Sequence, residues 1–370
     1  MKKTCLFAAT LLCGCSLVKM NSDNIPSEKE QVNLETGVFC SAVVFPEGYD
    51  WRKDSGQSVQ DGKLMLICSD RILCELEGRD PLSPHFLVKG RLYDCICSGG
   101  KTLVRCNGEK VLEWDGEAQV WDLALDGSDL VCLCCDDDGT RLVREGVTVG
   151  RWPGCWPESD FYDDDGRLCF DLGGKRSGIV RDGVAQLWET GQLGEMQNAH
   201  FHSAGGMTWF RGESSGTHLY GNYEEGPKAV SHGSVFTGIV YGGANVWMEA
   251  YSGSRYQLWQ GGEAVFTTEV PFERTAVAVE NDDIYVLGKL QEDQWAILHD
   301  GNFTMLPEGS RPVAGAGMAL RYGRLMLPLA LQDGNAAIWD KGKVSGLGIN
   351  GYVDRISIGR GSSQKFYLSR

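Results

Sequence analysis

No stretch of the 370 residues holds apolar positions at i, i+3, i+4 spacing through three turns, which excludes an architecture built on amphipathic helices. Heptads, Pro-rich tracts, runs of Lys or Arg and apolar segments long enough to span a bilayer are all missing. Cations are outnumbered, 35 Lys and Arg against 50 Asp and Glu, for a formal charge of −15 and a pI near 4.9. That balance speaks against nucleic acid and anionic head groups as partners, since both are bound by clustered positive side chains. No cysteine follows Cys169. Gly-x-Ser-x-Gly, His-Glu-x-x-His, Walker and dinucleotide fingerprints are also missing, so no enzyme class is nominated by motif.

What is present is a repeat. Leu103-Val104-Arg105-Cys106-Asn107-Gly108 runs on to Trp114, Leu142-Val143-Arg144-Glu145-Gly146 to Trp152, and Ile179-Val180-Arg181-Asp182-Gly183 to Trp188. Later copies are Leu258-Trp259-Gln260-Gly261-Gly262, Ile297-Leu298-His299-Asp300-Gly301 and Ile338-Trp339-Asp340-Lys341-Gly342. The turn glycines stand 38, 37, 79, 39 and 41 residues apart, the 79 being a double step over a degenerate copy near His218 to Gly226. Each copy is an apolar strand, a polar-Gly turn suited to type I′ geometry, and a second strand. A unit of four strands can be drawn from Val120 to Trp152.

A period near 40 made of short strands resembles the blades of a β-propeller, although no WD40, kelch, Asp-box or NHL motif is matched. The resemblance implies an all-β ring of four-stranded blades. Blades starting near His85, Ala118, Pro157, Met196, Ser234, Thr275 and Pro312, with one more from the segment between Tyr49 and Pro84, give eight; seven is the alternative. The terminal strands, Tyr352 to Ile358 and Lys365 to Leu368, are expected to pair with Val38 to Phe45 and close the ring.

Ahead of this domain, assigned to residues 37–370, Lys2 and Lys3 precede the apolar run Leu6 to Leu12, and Leu12-Cys13-Gly14-Cys15 follows. This resembles the signal sequence and lipobox of bacterial lipoproteins, with Cys13 a departure from the usual small or aliphatic residue. The resemblance implies removal of residues 1–14, acylation of Cys15, and a polar tether over 15–36 that holds the domain at the cell envelope through lipid alone. The face of the membrane is left open, and the protein is expected to be monomeric.

Eleven cysteines remain after Cys15, an odd number. Cys95 and Cys97, like Cys132 and Cys134, share a strand face, and Cys134 and Cys135 point apart, so most read as small buried hydrophobes. No zinc spacing appears among them, and neither metal nor cofactor is expected. Asp136-Asp137-Asp138-Gly139, Asp163-Asp164-Asp165-Gly166 and Asn281-Asp282-Asp283 read as structural turns or as oxygen-rich calcium loops. His200 and His202, two apart on an inner strand, read as polar channel residues, as a metal pair lacking a third ligand, or as a general base.

The binding face is expected where fourth strands lead into the next blade. Trp152 and Trp156 offer flat apolar faces there, Glu158 a carboxylate, and Arg274, Arg311 and Arg355 recurring guanidinium groups. The opposing reading places Trp152 in the core and pairs each Arg with a neighbouring acid. These residues suit a binding propeller for a glycan, peptide or protein; the alternative is a polysaccharide hydrolase or lyase using channel carboxylates. Replacing Cys15 by Ser is expected to abolish incorporation of labelled palmitate, and undiminished labelling would refute the anchor.

Overall fold

A computed structural model describes residues 38–52, 62–68, 71–76, 85–189, 197–215, 217–229, 235–242, 245–261, 263–280, 282–291, 294–313 and 317–358. Cys15, the tether and the strand expected at Lys365 to Leu368 lie outside them. All regular elements among the described residues are strands, paired antiparallel.

Taken in chain order, the strands form successive four-stranded units. Blade 1 consists of His85–Val88, Arg91–Ser98, Lys101–Cys106 and Glu109–Asp115, and blade 2 of Gln119–Asp126, Asp129–Asp136, Gly139–Arg144 and Val147–Pro153. In blade 3 the first strand is split into Cys155–Pro157 and Tyr162–Asp164, followed by Arg167–Gly174, Arg176–Arg181 and Val184–Glu189. Blade 4 has Gln197–Ala204, Met207–Ser214, Thr217–Asn222 and Gly226–Ala229; blade 5 has Val235–Gly242, Asn245–Ser252, Arg255–Gln260 and Glu263–Thr267. Blade 6 has Glu273–Glu280, Asp283–Gln291, Gln294–His299 and Asn302–Met305. Blade 7 begins with Arg311–Pro312 and Ala319–Arg321, continues through Arg324–Ala330 and Asn335–Asp340, and ends in the first half of the long strand Lys343–Ile358.

The second half of that strand starts blade 8, which Val38–Val44, Lys63–Cys68 and Arg71–Leu76 complete. One strand thus serves two blades, pairing with Asn335–Asp340 over residues 343–350 and with Val38–Val44 over 351–358. The changeover is at Gly351, where a Cβ would overlap the carbonyl oxygen of Val43. Phe45, Tyr49, Trp51 and Tyr352 stack beside it, with ring centroids 5.1 to 6.3 Å apart. Asn350 Nδ2 donates to the carbonyls of Pro46 and Tyr49, and Trp51 Nε1 to that of Gly334.

Turn chemistry explains why the repeat folds as it does. At Asn107-Gly108, Glu145-Gly146 and Asp182-Gly183 both residues have positive φ, as type I′ turns require. The first residue does more than tolerate that φ. Its N–H donates to the carbonyl of Leu92, Leu130 or Leu168, and its side-chain oxygen accepts the N–H of that same residue, at 3.0, 2.5 and 2.9 Å. The acceptor-bearing Asn, Glu and Asp therefore fasten the third-to-fourth-strand turn to the start of the second strand.

Between successive blades lies an apolar cluster, and the clusters run right round. Phe86 meets Val120 between blades 1 and 2, Leu133 meets Phe170 between 2 and 3, Trp188 meets Phe201 between 3 and 4, and Tyr220 meets Met248 between 4 and 5. Trp247 and Val286, Ile297 and Leu327, Ile338 and Ile356, and Phe39 and Leu87 mark the remaining seams back to blade 1. Each such side chain contributes about 1.5–3 kcal/mol on burial. The described cysteines are unbonded thiols, and seven of them are buried in or beside these seams, as small hydrophobes would be.

Gly351→Ala is expected to cost about 2 kcal/mol or more, because the added methyl meets backbone that cannot turn aside. Gly346→Ala, whose Cβ would find its nearest neighbour at 4.0 Å, should fall well short of that cost in the same urea titration; equal midpoints for the two variants would contradict the closure geometry.

Candidate functional site in the channel

First strands of neighbouring blades lie against one another, while the fourth strands carry exposed Val147, Val149, Val184 and Val265. The first strands are therefore the inner wall. In blade 3 that wall is interrupted between Pro157 and Tyr162. The Asp171 N–H, which would continue the ladder, donates instead to Ser159 Oγ at 2.8 Å, and the Phe161 N–H turns to Asp122 Oδ2 in blade 2 at 2.7 Å.

The interruption creates a shelf. Gly173 and Gly174, opposite it, carry no side chains: a Cβ on Gly173 would overlap the Glu158 carboxylate, and one on Gly174 would stand 2.8 Å from the Trp156 ring. Trp156 lies on this floor with 45% of its surface exposed. Glu158 Oε2 accepts from His200 Nδ1 at 2.7 Å, across the seam into blade 4.

Two residues along the same strand a second carboxylate–imidazole pair forms. His202 Nδ1 donates to Asp171 Oδ2 at 2.7 Å, and Tyr162 Oη donates to Asp171 Oδ1 at 2.5 Å while accepting the Ser203 N–H. The His202 ring is sandwiched between Tyr162 at 3.9 Å and Tyr241 at 3.6 Å, both within 25° of parallel. Only its edge is left open. Burial, with Asp171 beside it, holds the Tyr162 phenol well above the usual tyrosine range, and burial does the same for Tyr241. Both phenols therefore stay neutral. Because a carboxylate only accepts, Nδ1 of each imidazole is the donor in these bonds, which in the tautomer they select leaves the lone pair on Nε2. Neither Nε2 has a protein partner among the described residues.

A second polar sector comes from blades 8, 1 and 2. His85 Nε2 lies 2.9 Å from Asp354 Oδ2, which also accepts from Arg355 Nε at 3.2 Å, and the Arg355 guanidinium stands over the Phe86 ring. Burial pushes Asp354 upward, but the His85 bond and the charges of His85 and Arg355 outweigh it and leave the carboxyl below its usual value. Asp122 goes the other way. Its burial, with Asp160 nearby, lifts it to about 7, against the pull of the Leu123 and Phe161 N–H donors.

Of the residues nominated from sequence, Glu158 and His200 are brought together, with His202 two residues further along the blade 4 strand and Trp156 two residues before Glu158 on the shelf. Trp152 is not: 7% exposed and edge-on to Phe170 at 5.4 Å, it fills the seam between blades 2 and 3 and offers no ligand a face. Arg274 is engaged bidentately by the buried Glu249, both contacts at 2.9 Å, and Glu249 also accepts from Tyr256. Arg311 is exposed at the start of blade 7. Arg355 sits midway along the inner strand of blade 8, since that strand enters without a loop, so the three guanidinium groups do not hold equivalent positions. Asp136 and Asp163 spend carboxylate oxygens on N–H groups of their own turns; Asn281 lies outside the described residues. No group of three or more His, Cys, Asp or Glu suited to a metal ion occurs among the described residues.

Asp171, Tyr162 and Tyr241 carry no local motif, and their roles arise only across seams.

No protein-family model matches the chain, and no curated protein matches it. Solved structures do. The dihydro-heme d1 dehydrogenase NirN, solved in complex with DHE, aligns with a TM-score of 0.54 at 11% identity over 93% of this chain and 79% of its own. AztD from Citrobacter koseri gives 0.43 at 14% identity over 74% and 95%, and BamB from Moraxella catarrhalis 0.40 at 11% over 74% and 89%. With the sheet order, the NirN likeness establishes a β-propeller fold.

The raised Asp122 carboxyl has a signed consequence. Between the unfolded carboxylate value of about 4 and about 7, the folded chain keeps a proton that the unfolded chain has released, so this group lowers stability as pH rises through that window. Asp122→Asn, measured by urea unfolding at pH 5 and pH 8, should lose less stability over that interval than the parent; parallel losses would show that Asp122 carries no such charge cost.

Proposed function

We propose that the chain is a ligand-binding propeller, held at the cell envelope by acylated Cys15, and that its ligand seats on the channel wall of blades 3 and 4. The observation that carries the proposal is the pair of channel-side imidazoles, each clamped at Nδ1 by a carboxylate and open at Nε2. Orienting bonds of this kind fix ring and tautomer, and polar edges so fixed beside an exposed indole have the character of a small-molecule site. Trp156 supplies an apolar face at the rim, and the Gly173-Gly174 floor keeps it and Glu158 in place.

A second reading rests on the same atoms. An imidazole held by a carboxylate with its other nitrogen open can act as a general base, and Asp171–His202 has that form. This reading favours hydrolysis or elimination on a polysaccharide: Nε2 takes a proton from a water or from substrate carbon, and the imidazolium so formed returns it to the departing glycosidic oxygen.

Affinity selection of the full chain against mixed saccharide, peptide and small-molecule libraries, read by mass spectrometry and for new reducing ends, separates the two. Retention without product is expected, weakened about tenfold by Gly173→Ala, which dislodges Glu158, and by Asp171→Asn, which disturbs the His202 tautomer. New reducing ends lost in Asp171→Asn would favour the enzyme. Ligands retained equally by the parent and both variants would remove this wall from consideration.

A further inference from the structure

We infer that the channel ligand is an uncharged carbohydrate, held through its hydroxyls between an acceptor wall on blade 4 and a donor on blade 8; this rests on the channel reading above and narrows it to one chemistry. The acceptor wall is the Nε2 edges of His200 and His202, whose Nδ1 protons are taken by Glu158 and Asp171. Blade 8 is four blades from blade 4 in either direction round the sheet order, so their inner strands oppose each other. There Arg355 gives its Nε to Asp354 and rests on the Phe86 ring, while its two terminal nitrogens find no protein partner among the described residues.

A ligand that meets lone pairs on one side and guanidinium N–H groups on the other needs donors toward blade 4 and acceptors toward blade 8, and a row of hydroxyls supplies both. Trp156 adds the other half of carbohydrate recognition. Its ring is backed by Gly174 on one side and is 45% exposed, leaving an indole surface for the C–H face of a sugar.

The charge of the wall selects against acidic sugars. Glu158 and Asp171 stand directly behind the two imidazoles, Asp354 accepts from Arg355, and the chain carries a formal −15. An approaching uronate or sulfate would meet like charge from each side, with one guanidinium already shared with Asp354 to offset it.

The test is isothermal titration calorimetry of the full chain with maltohexaose, cellohexaose, chitohexaose and hexagalacturonate, alongside Trp156→Ala, His200→Ala and Arg355→Lys. His200, with 37% of its side chain exposed, can be truncated with little loss of packing. Arg355→Lys keeps the charge but loses the fork of donors. At least one neutral hexasaccharide should bind, hexagalacturonate should bind about tenfold more weakly or not at all, and each variant should weaken the neutral ligand about fivefold or more. Tighter binding of hexagalacturonate, or no binding of any neutral hexasaccharide by the parent, overturns the assignment of ligand class and leaves the channel site standing. A neutral hexasaccharide bound equally well by the parent and all three variants overturns the channel site itself.

Discussion

The pairing of residues 351–358 with Val38–Val44 converts a row of sheets into a ring, and the inner wall depends on it. A blade alone has two edges and an apolar face on each side. Stacking neighbours buries the faces, but a row would still end in two open ones. Here the ends are joined by backbone hydrogen bonds, and the joint is stiffened because Lys343–Ile358 is the fourth strand of blade 7 and the first strand of blade 8 without an intervening turn. A strand cannot shift register in one sheet without dragging the other. The glycine at the changeover allows Val43 to approach, and the aromatic group around Trp51 and Tyr352 fills the corner.

With the seams supplying hydrophobic burial, the first strands are free to carry polar groups, and this chain uses that freedom unevenly. Burying a carboxylate or an imidazole is costly unless each lone pair and proton is matched. On the wall of blades 3 to 5 the matching is thorough: Asp171 takes bonds from Tyr162 and His202, Ser203 is shared by Asp164, Arg181 and Tyr162, and the ring faces of His202 are covered by tyrosines. What is left unmatched is the edge that faces the channel. A rigid surround with one open edge is the preorganised state from which binding or proton transfer starts.

Local features were readable from sequence and cross-seam features were not. Asn107-Gly108, Glu145-Gly146 and Asp182-Gly183 announce their turns because positive φ is a property of two adjacent residues. Closure by Val38 to Phe45 could be anticipated because an incomplete blade at one end needs its complement at the other. Trp152 and Trp156 look alike in sequence, yet one fills a seam and the other lies on the surface, a difference set by strand alternation either side of Gly154. The three arginines share a neighbourhood in the repeat but not a register, and Arg274 is claimed by Glu249, which sits 25 residues earlier in blade 5.

Yet the repeat length itself encodes much of the missing information. In a ring of similar blades, residues one period apart occupy the same place on adjacent blades, so a side chain at i that leans toward the seam meets backbone or side chain near i+40. Asp122 to Phe161 spans 39 residues, Glu158 to His200 spans 42, Tyr162 to Ser203 spans 41, and Asp164 to Gly206 spans 42. On the far side of the ring, Glu280 caps Tyr322 and Gly323 at 42 and 43, and Asn245 reaches Asp282 at 37. The relation plays the part that i, i+4 plays in a helix. It also accounts for the Glu158–His200 pair, whereas Asp171 and His202, 31 residues apart, meet because the second strand of blade 3 lies against the first strand of blade 4; since both carboxylates belong to the blade before the histidines, a change of blade spacing would part both pairs at once.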